Sequence, residues 1–138
     1  MALHFFKAAG GVGPIADDAG QSGASFFDDV TFNGTAGEVR NLGVYLRNAD
    51  ATKQYQQIIL SMDDSDPVLD PTNFRMATSL AGLDTATPGA ALLLPDIVAA
   101  NPSPVEVPVF LRCTVGPGTA VGAYVGIKFV INAIELPA

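Results

Sequence analysis

The chain has 138 residues, 7 Lys plus Arg against 14 Asp plus Glu for a net charge of −7, and 49% hydrophobic residues. One domain fits this length, and a chain this apolar buries a core rather than staying disordered. Its few basic residues are scattered, which argues against a nucleic-acid partner, since affinity for a phosphate backbone rests on clustered Lys and Arg. No apolar run approaches the ~20 residues that a membrane-spanning helix needs, so no membrane partner is expected.

The 14 Gly and 10 Pro punctuate the sequence too often for a helical bundle and suit short strands joined by turns. The expected fold class is all-β, an antiparallel two-sheet sandwich of roughly seven to nine strands. In chain order, residues 1–24 read as a flexible N-terminal arm ahead of a sandwich domain over 25–138. The arm has an apolar tip, Leu3, Phe5 and Phe6, followed by Gly10, Gly11, Gly13, Gly20 and Gly23, and that tip is the candidate interaction site. An edge strand completing the domain's own sheet is the other reading of Leu3 to Phe6. Met1 to Lys7 lacks the basic start, apolar stretch and cleavage site of a secretory signal, so synthesis in the cytoplasm is expected. Gly10-Gly11-Val12-Gly13 is not a phosphate-binding loop, because Pro14 follows at once and neither a Lys-Ser/Thr pair nor a helical pattern comes after it.

Beyond Ser25 the period-2 alternation of strands takes over. Asn41 to Asn48 places Leu42, Val44 and Leu46 on one face, and Tyr55 to Met62 places Ile58, Leu60 and Met62 there. Phe74 to Leu80 offers Phe74, Met76, Thr78 and Leu80, and Val109 to Val115 offers Val109, Leu111, Cys113 and Val115. The last segment, Tyr124 to Ala133, offers Val125, Ile127, Phe129 and Ile131 and reads as a long central strand. Turns are expected at Asn33-Gly34, Asn48-Ala49-Asp50, Asp63 to Pro67, Pro88-Gly89 and Gly116-Pro117-Gly118. Leu92 to Ala100, pinned by Pro95 and Pro102, reads as a crossing loop.

The chemistry available for catalysis is thin. With one cysteine, Cys113, and one histidine, His4, no intramolecular disulfide or Cys-rich zinc site can form. No serine lies in a Gly-x-Ser-x-Gly elbow. Cys113 reads as a small buried hydrophobe and His4 as a surface or interface residue. Asp63, Asp64, Asp66 and Asp70 form one dense acidic group, but Val68 and Phe74 stand where a calcium loop begun at Asp63 needs Gly and Glu. These acids, with Asp17-Asp18 and Asp28-Asp29, read as solvated charge. No catalytic residue, metal or cofactor is expected.

Val107 to Ile131, with its Pro117-Gly118-Thr119 turn and Gly122-Ala123-Tyr124 step before an alternating strand, resembles the final hairpin of bacterial and viral immunoglobulin-like sandwich domains. Asn41 to Asn48 looks like an early strand of that family, in which an Asn precedes the apolar alternation. The resemblance covers about half the chain and implies a fold without catalytic residues. It departs from antibody domains in having no Trp and no Cys pair, and in the Phe26-Phe27 to Phe32 segment behind a Gly-rich arm. A free-standing acidic domain of this kind is similar to virion proteins that decorate the capsid or tail of tailed bacteriophages. That implies a non-enzymatic structural protein, made in the host cytoplasm, located in the virion, forming a homo-oligomer and contacting major capsid or tail subunits. A carbohydrate-binding or adhesion module with a glycan partner is the second class, though Tyr45, Tyr55 and Tyr124 are its only tyrosines and Trp is absent.

Overall fold

In the computed structural model, residues 2–15, 36–64, 71–98, 106–118 and 127–138 are described. They form eight strands: β1 (Leu3–Ala8), β2 (Val12–Pro14), β3 (Glu38–Asn48), β4 (Lys53–Asp64), β5 (Phe74–Ala77), β6 (Leu92–Leu94), β7 (Glu106–Val115) and β8 (Ile127–Pro137). Every pairing is antiparallel, giving a five-stranded sheet ordered β2-β1-β3-β7-β5 and a three-stranded sheet ordered β6-β4-β8. The all-β expectation holds.

One apolar cluster joins the inward faces of both sheets. Leu3, Phe5, Val44, Leu46, Phe74, Met76, Val109, Leu111, Cys113 and Val115 enter from the larger sheet, and Tyr55, Ile58, Leu60, Leu94, Phe129 and Ile131 from the smaller. Phe74 and Phe129 meet edge to face across it, with ring centroids 5.8 Å apart and planes at 81°. The expected faces of β3 and β7 are the buried ones, because a period-2 pattern with one apolar side leaves a strand a single favourable register.

The N-terminal segment departs from the arm expected over residues 1–24. Leu3 and Phe5 are buried, and β1 pairs with β3 through Leu3 opposite Asn48 and Phe5 opposite Leu46. Gly10 and Gly11, at φ of 80° and 74°, turn β1 back into β2. What reads as a glycine tether is thus a hairpin turn built from left-handed conformations. Residues 2–15 are part of the sandwich, and the rest of the expected arm lies outside the described residues.

Other departures have local causes. In β4, Gln56 pairs with Ile134 but Ile59 with Asn132, so two residues oppose one. Gln57 at this bulge has φ 50°, which resets the alternation and lets Tyr55 and Ile58, three apart, both point inward. β5 stops at Ala77, leaving Thr78 and Leu80, expected inward, exposed ahead of a 3-10 turn over Ala81–Asp84. Part of the expected crossing loop is strand: β6 pairs with β4, and Ile97 exchanges two backbone hydrogen bonds with Tyr55, at 2.7 and 2.9 Å. β8 lies at an edge of the three-stranded sheet among the described strands, not at its centre, and it runs on to Pro137. Nor do β7 and β8 make the hairpin expected over Val107 to Ile131. β7 pairs with β3 and β5, and β8 with β4 in the other sheet.

A polar network closes one end of the sandwich. The Ala2 backbone N–H donates to the Tyr55 hydroxyl (2.8 Å), which donates to Glu135 Oε2 (2.9 Å), while Lys53 Nζ stands 3.6 Å from Glu135 Oε1. Burial, then the nearby Glu135 carboxylate, raises the Tyr55 phenol above its usual range despite the lowering effect of the Ala2 N–H. Asn48, buried beside it, donates to Lys53 O and accepts from the Asp50 N–H, both at 2.9 Å, so no polar atom of its side-chain amide is wasted at this turn.

Candidate functional site

With the core facing inward, the outer faces of the two sheets carry the surface chemistry. On the three-stranded sheet, Leu93 opposes Ile59, Ile59 opposes Asn132, Ser61 opposes Val130, and Gln56 opposes Ile134. Leu93 is 67% exposed, Ile134 44% and Ile59 40%, with Leu136 continuing the row beyond Gln54. From Gln54 to Ser61 the outward positions and their partners on β8 and β6 carry no charge. The Asp63 and Lys128 pair stands at the far end.

The outer face of the five-stranded sheet is built differently, in cross-strand rows. His4, Arg47 and Glu106 form one row, Phe6, Tyr45 and Pro108 the next, then Gly43, Phe110 and Ala77, then Asn41, Arg112 and Arg75. Phe6, Tyr45 and Phe110 are half-buried. Phe110 leans over Gly43, where a Cβ would meet its ring at 3.3 Å, so the absent side chain is what lets the ring lie down on the sheet. Arg47 covers the Phe6 ring, with Cζ 5.8 Å from the centroid, stands 3.7 Å from Glu106 Oε1 and fills the space beside Gly11. Glu106 also accepts the Gly10 N–H at 2.8 Å.

Across the aromatic rows, Arg112 donates from Nε to Asn41 Oδ1 and from Nη1 to Asp84 Oδ1, both at 2.8 Å. Arg75 Nη1 donates to the carbonyls of Leu83 and Asp84, at 3.3 and 3.4 Å. Those carbonyls belong to the 3-10 turn that rises over β5. A Cβ on Gly82 would come within 3.1 Å of Ala77 Cβ, which shows how closely this wall sits on the sheet. The result is a shallow floor of aromatic and small side chains, bordered by fixed arginines, an amide and carboxylates.

The residues singled out from the sequence fall apart spatially. Of the candidate interaction residues, Leu3 and Phe5 are in the core and only Phe6 faces outward. Cys113 is buried, and that burial, with Glu38 nearby, pushes its thiol up to about 12. His4 lies on the opposite, outward face of the same sheet, so the two cannot form a nucleophile and base pair. Asp63 and Asp64 end β4, while Asp66 and Asp70 lie outside the described residues, as do Tyr124, Phe26, Phe27 and Phe32. Among the described residues no group of three or more His, Cys, Asp or Glu is placed to hold a metal ion, and no helix is long and apolar enough to cross a membrane. The aromatic floor is what the sequence reading missed. Its rings come from positions 6, 45 and 110, and only the sheet register brings them together.

No family model, curated protein or solved structure matches the chain.

Proposed function

We propose that the chain is a non-enzymatic structural protein of a tailed-bacteriophage virion, a decoration or tail-associated subunit that attaches through the outer surface of its sandwich. The observation that carries this reading is the uncharged stretch of the three-stranded sheet's outer face from Gln54 to Ser61, where Leu93, Ile59 and Ile134 stand exposed in adjoining rows among neutral polar side chains. Grouped apolar exposure of this kind marks surfaces made to be covered. In a molecule of net charge −7 it is also the place where a second subunit meets the least like-charge repulsion, while the acidic residues elsewhere disfavour other contacts. On a repetitive particle many weak contacts of this sort act together.

Attachment on this account uses sheet faces rather than an inserted N-terminal arm, since Leu3 and Phe5 are committed to the core. An immunoglobulin-like reading of the sandwich is supported by β3, where Asn41 precedes the alternation of Leu42, Val44 and Leu46. The pairing of β7 and β8 with different sheets sets it apart from that pattern. The test is immunogold labelling, with antibodies to the purified protein, of tailed particles recovered from cultures that express it. Labelled capsids or tails are expected, with loss of incorporation for Ile59→Lys plus Leu93→Lys. Particles free of the protein would contradict the proposal.

A further inference from the structure

We propose that the outer face of the five-stranded sheet binds a neutral oligosaccharide, with Tyr45 and Phe110 as the stacking floor and Arg47, seated on the Phe6 ring, Glu106, Asn41 and Arg112 as its polar border. The inference does not depend on the virion reading. It starts from the ordering of the rows: two aromatic rows in the middle, one charged row on each side. From Arg47 to Asn41 is six residues of one strand, on the order of 20 Å at the strand rise, which is longer than a single sugar ring. An apolar centre with polar groups at its margins suits a pyranose, whose C–H faces stack on rings while its hydroxyls point outward from the edge.

The electrostatics select among ligands. Each border arginine already faces an acceptor: Arg47 has Glu106 at 3.7 Å, and Arg112 has Asp84 and Asn41 at 2.8 Å. These two pairs cancel, so the border's net positive charge is that of Arg75, which sits on the neutral carbonyls of Leu83 and Asp84, little for an anionic polymer, and the pairs present both donors and acceptors in fixed positions. A hydroxyl donates and accepts at once, so it can be satisfied by such a border where a phosphate or carboxylate could not. The anchoring also limits the ordering cost on binding. Arg47 is held by the Phe6 ring, Arg112 by two acceptors, and Arg75 by the carbonyls of the 3-10 turn.

Affinity electrophoresis of the full chain through gels containing dextran, galactomannan or arabinoxylan, with dextran sulfate and heparin as anionic probes, tests this. Retardation by at least one neutral polymer is expected, with the apparent association constant falling at least about tenfold in Tyr45→Ala and in Arg112→Gln. Val98→Thr, outside the face, should migrate as the parent does. Because the truncations remove half-buried surface, the wild-type chain is also titrated with the retarding polymer while its near-ultraviolet tyrosine circular dichroism is followed, and a saturable change is expected. Absence of retardation by every neutral polymer, retardation by dextran sulfate alone, or retention unaltered in Tyr45→Ala would each overturn the proposal. So would a result in which Tyr45→Ala lowers the oligomeric mass and no polymer is bound, since the face would then be a protein interface.

Discussion

Truncating Phe5 to Ala separates a core strand from a free arm. Phe5 is 2% exposed, sits opposite Leu46, and belongs to the cluster that also holds Leu3, Val44 and Val107. Removing a buried phenylalanine ring costs about 3–5 kcal/mol, from lost transfer energy and an incompletely collapsed cavity. For a domain of this size that corresponds to a fall of about 10–20 °C in melting temperature. Phe6→Ala is the internal comparison. Its ring is half-buried and carries Arg47 at 5.8 Å, so its loss costs under about 2 kcal/mol, of which the cation–π contact supplies about 0.5–1. Urea melts followed by far-ultraviolet circular dichroism measure both. A cost under about 1 kcal/mol for Phe5→Ala, or equal costs for the two variants, would refute the placement of β1 in the core.

Phe129→Ala should also cost about 3–5 kcal/mol in the same melts, with about 0.5–1.5 of it from the edge-to-face pair with Phe74. Tyr55→Phe removes the hydroxyl that accepts the Ala2 N–H and donates to Glu135 Oε2, and should lower stability by about 1–3 kcal/mol. Cys113 should resist alkylation until the chain is unfolded in denaturant. Its folded thiol titrates at about 12 against an ordinary 9.0, so its contribution is fully present below pH 9 and is lost as pH rises toward 12. Stability measured between pH 8 and 11 should therefore fall with a slope that Cys113→Ala reduces, and an unchanged slope would contradict the burial.

What could be read from the residues follows from how local each signal is. β3 and β7 were legible because Leu42, Val44 and Leu46, and Val109, Leu111, Cys113 and Val115, alternate without interruption. β4 was legible only from Ile58 onward, since the bulge at Gln57 shifts the phase and no local pattern announces a left-handed Gln. β1 was ambiguous because Gly10 and Gly11 serve equally as a tether or as a hairpin turn, and only the pairing of Phe5 with Leu46 decides between them. The two outer faces were not legible. Leu93, Ile59 and Ile134 read singly as ordinary surface apolar residues, and the aromatic floor exists only through a register spanning three strands.

Sedimentation velocity of the wild-type chain beside Ile59→Lys plus Leu93→Lys, across a range of protein concentrations, tests the assembly role most directly. Both changed positions are solvent-facing, so the variant should melt within about 1 kcal/mol of the parent. The account predicts a wild-type chain whose mass rises with concentration and a variant that stays monomeric. A wild-type chain that is monomeric throughout, or a variant that associates as the parent does, would contradict it.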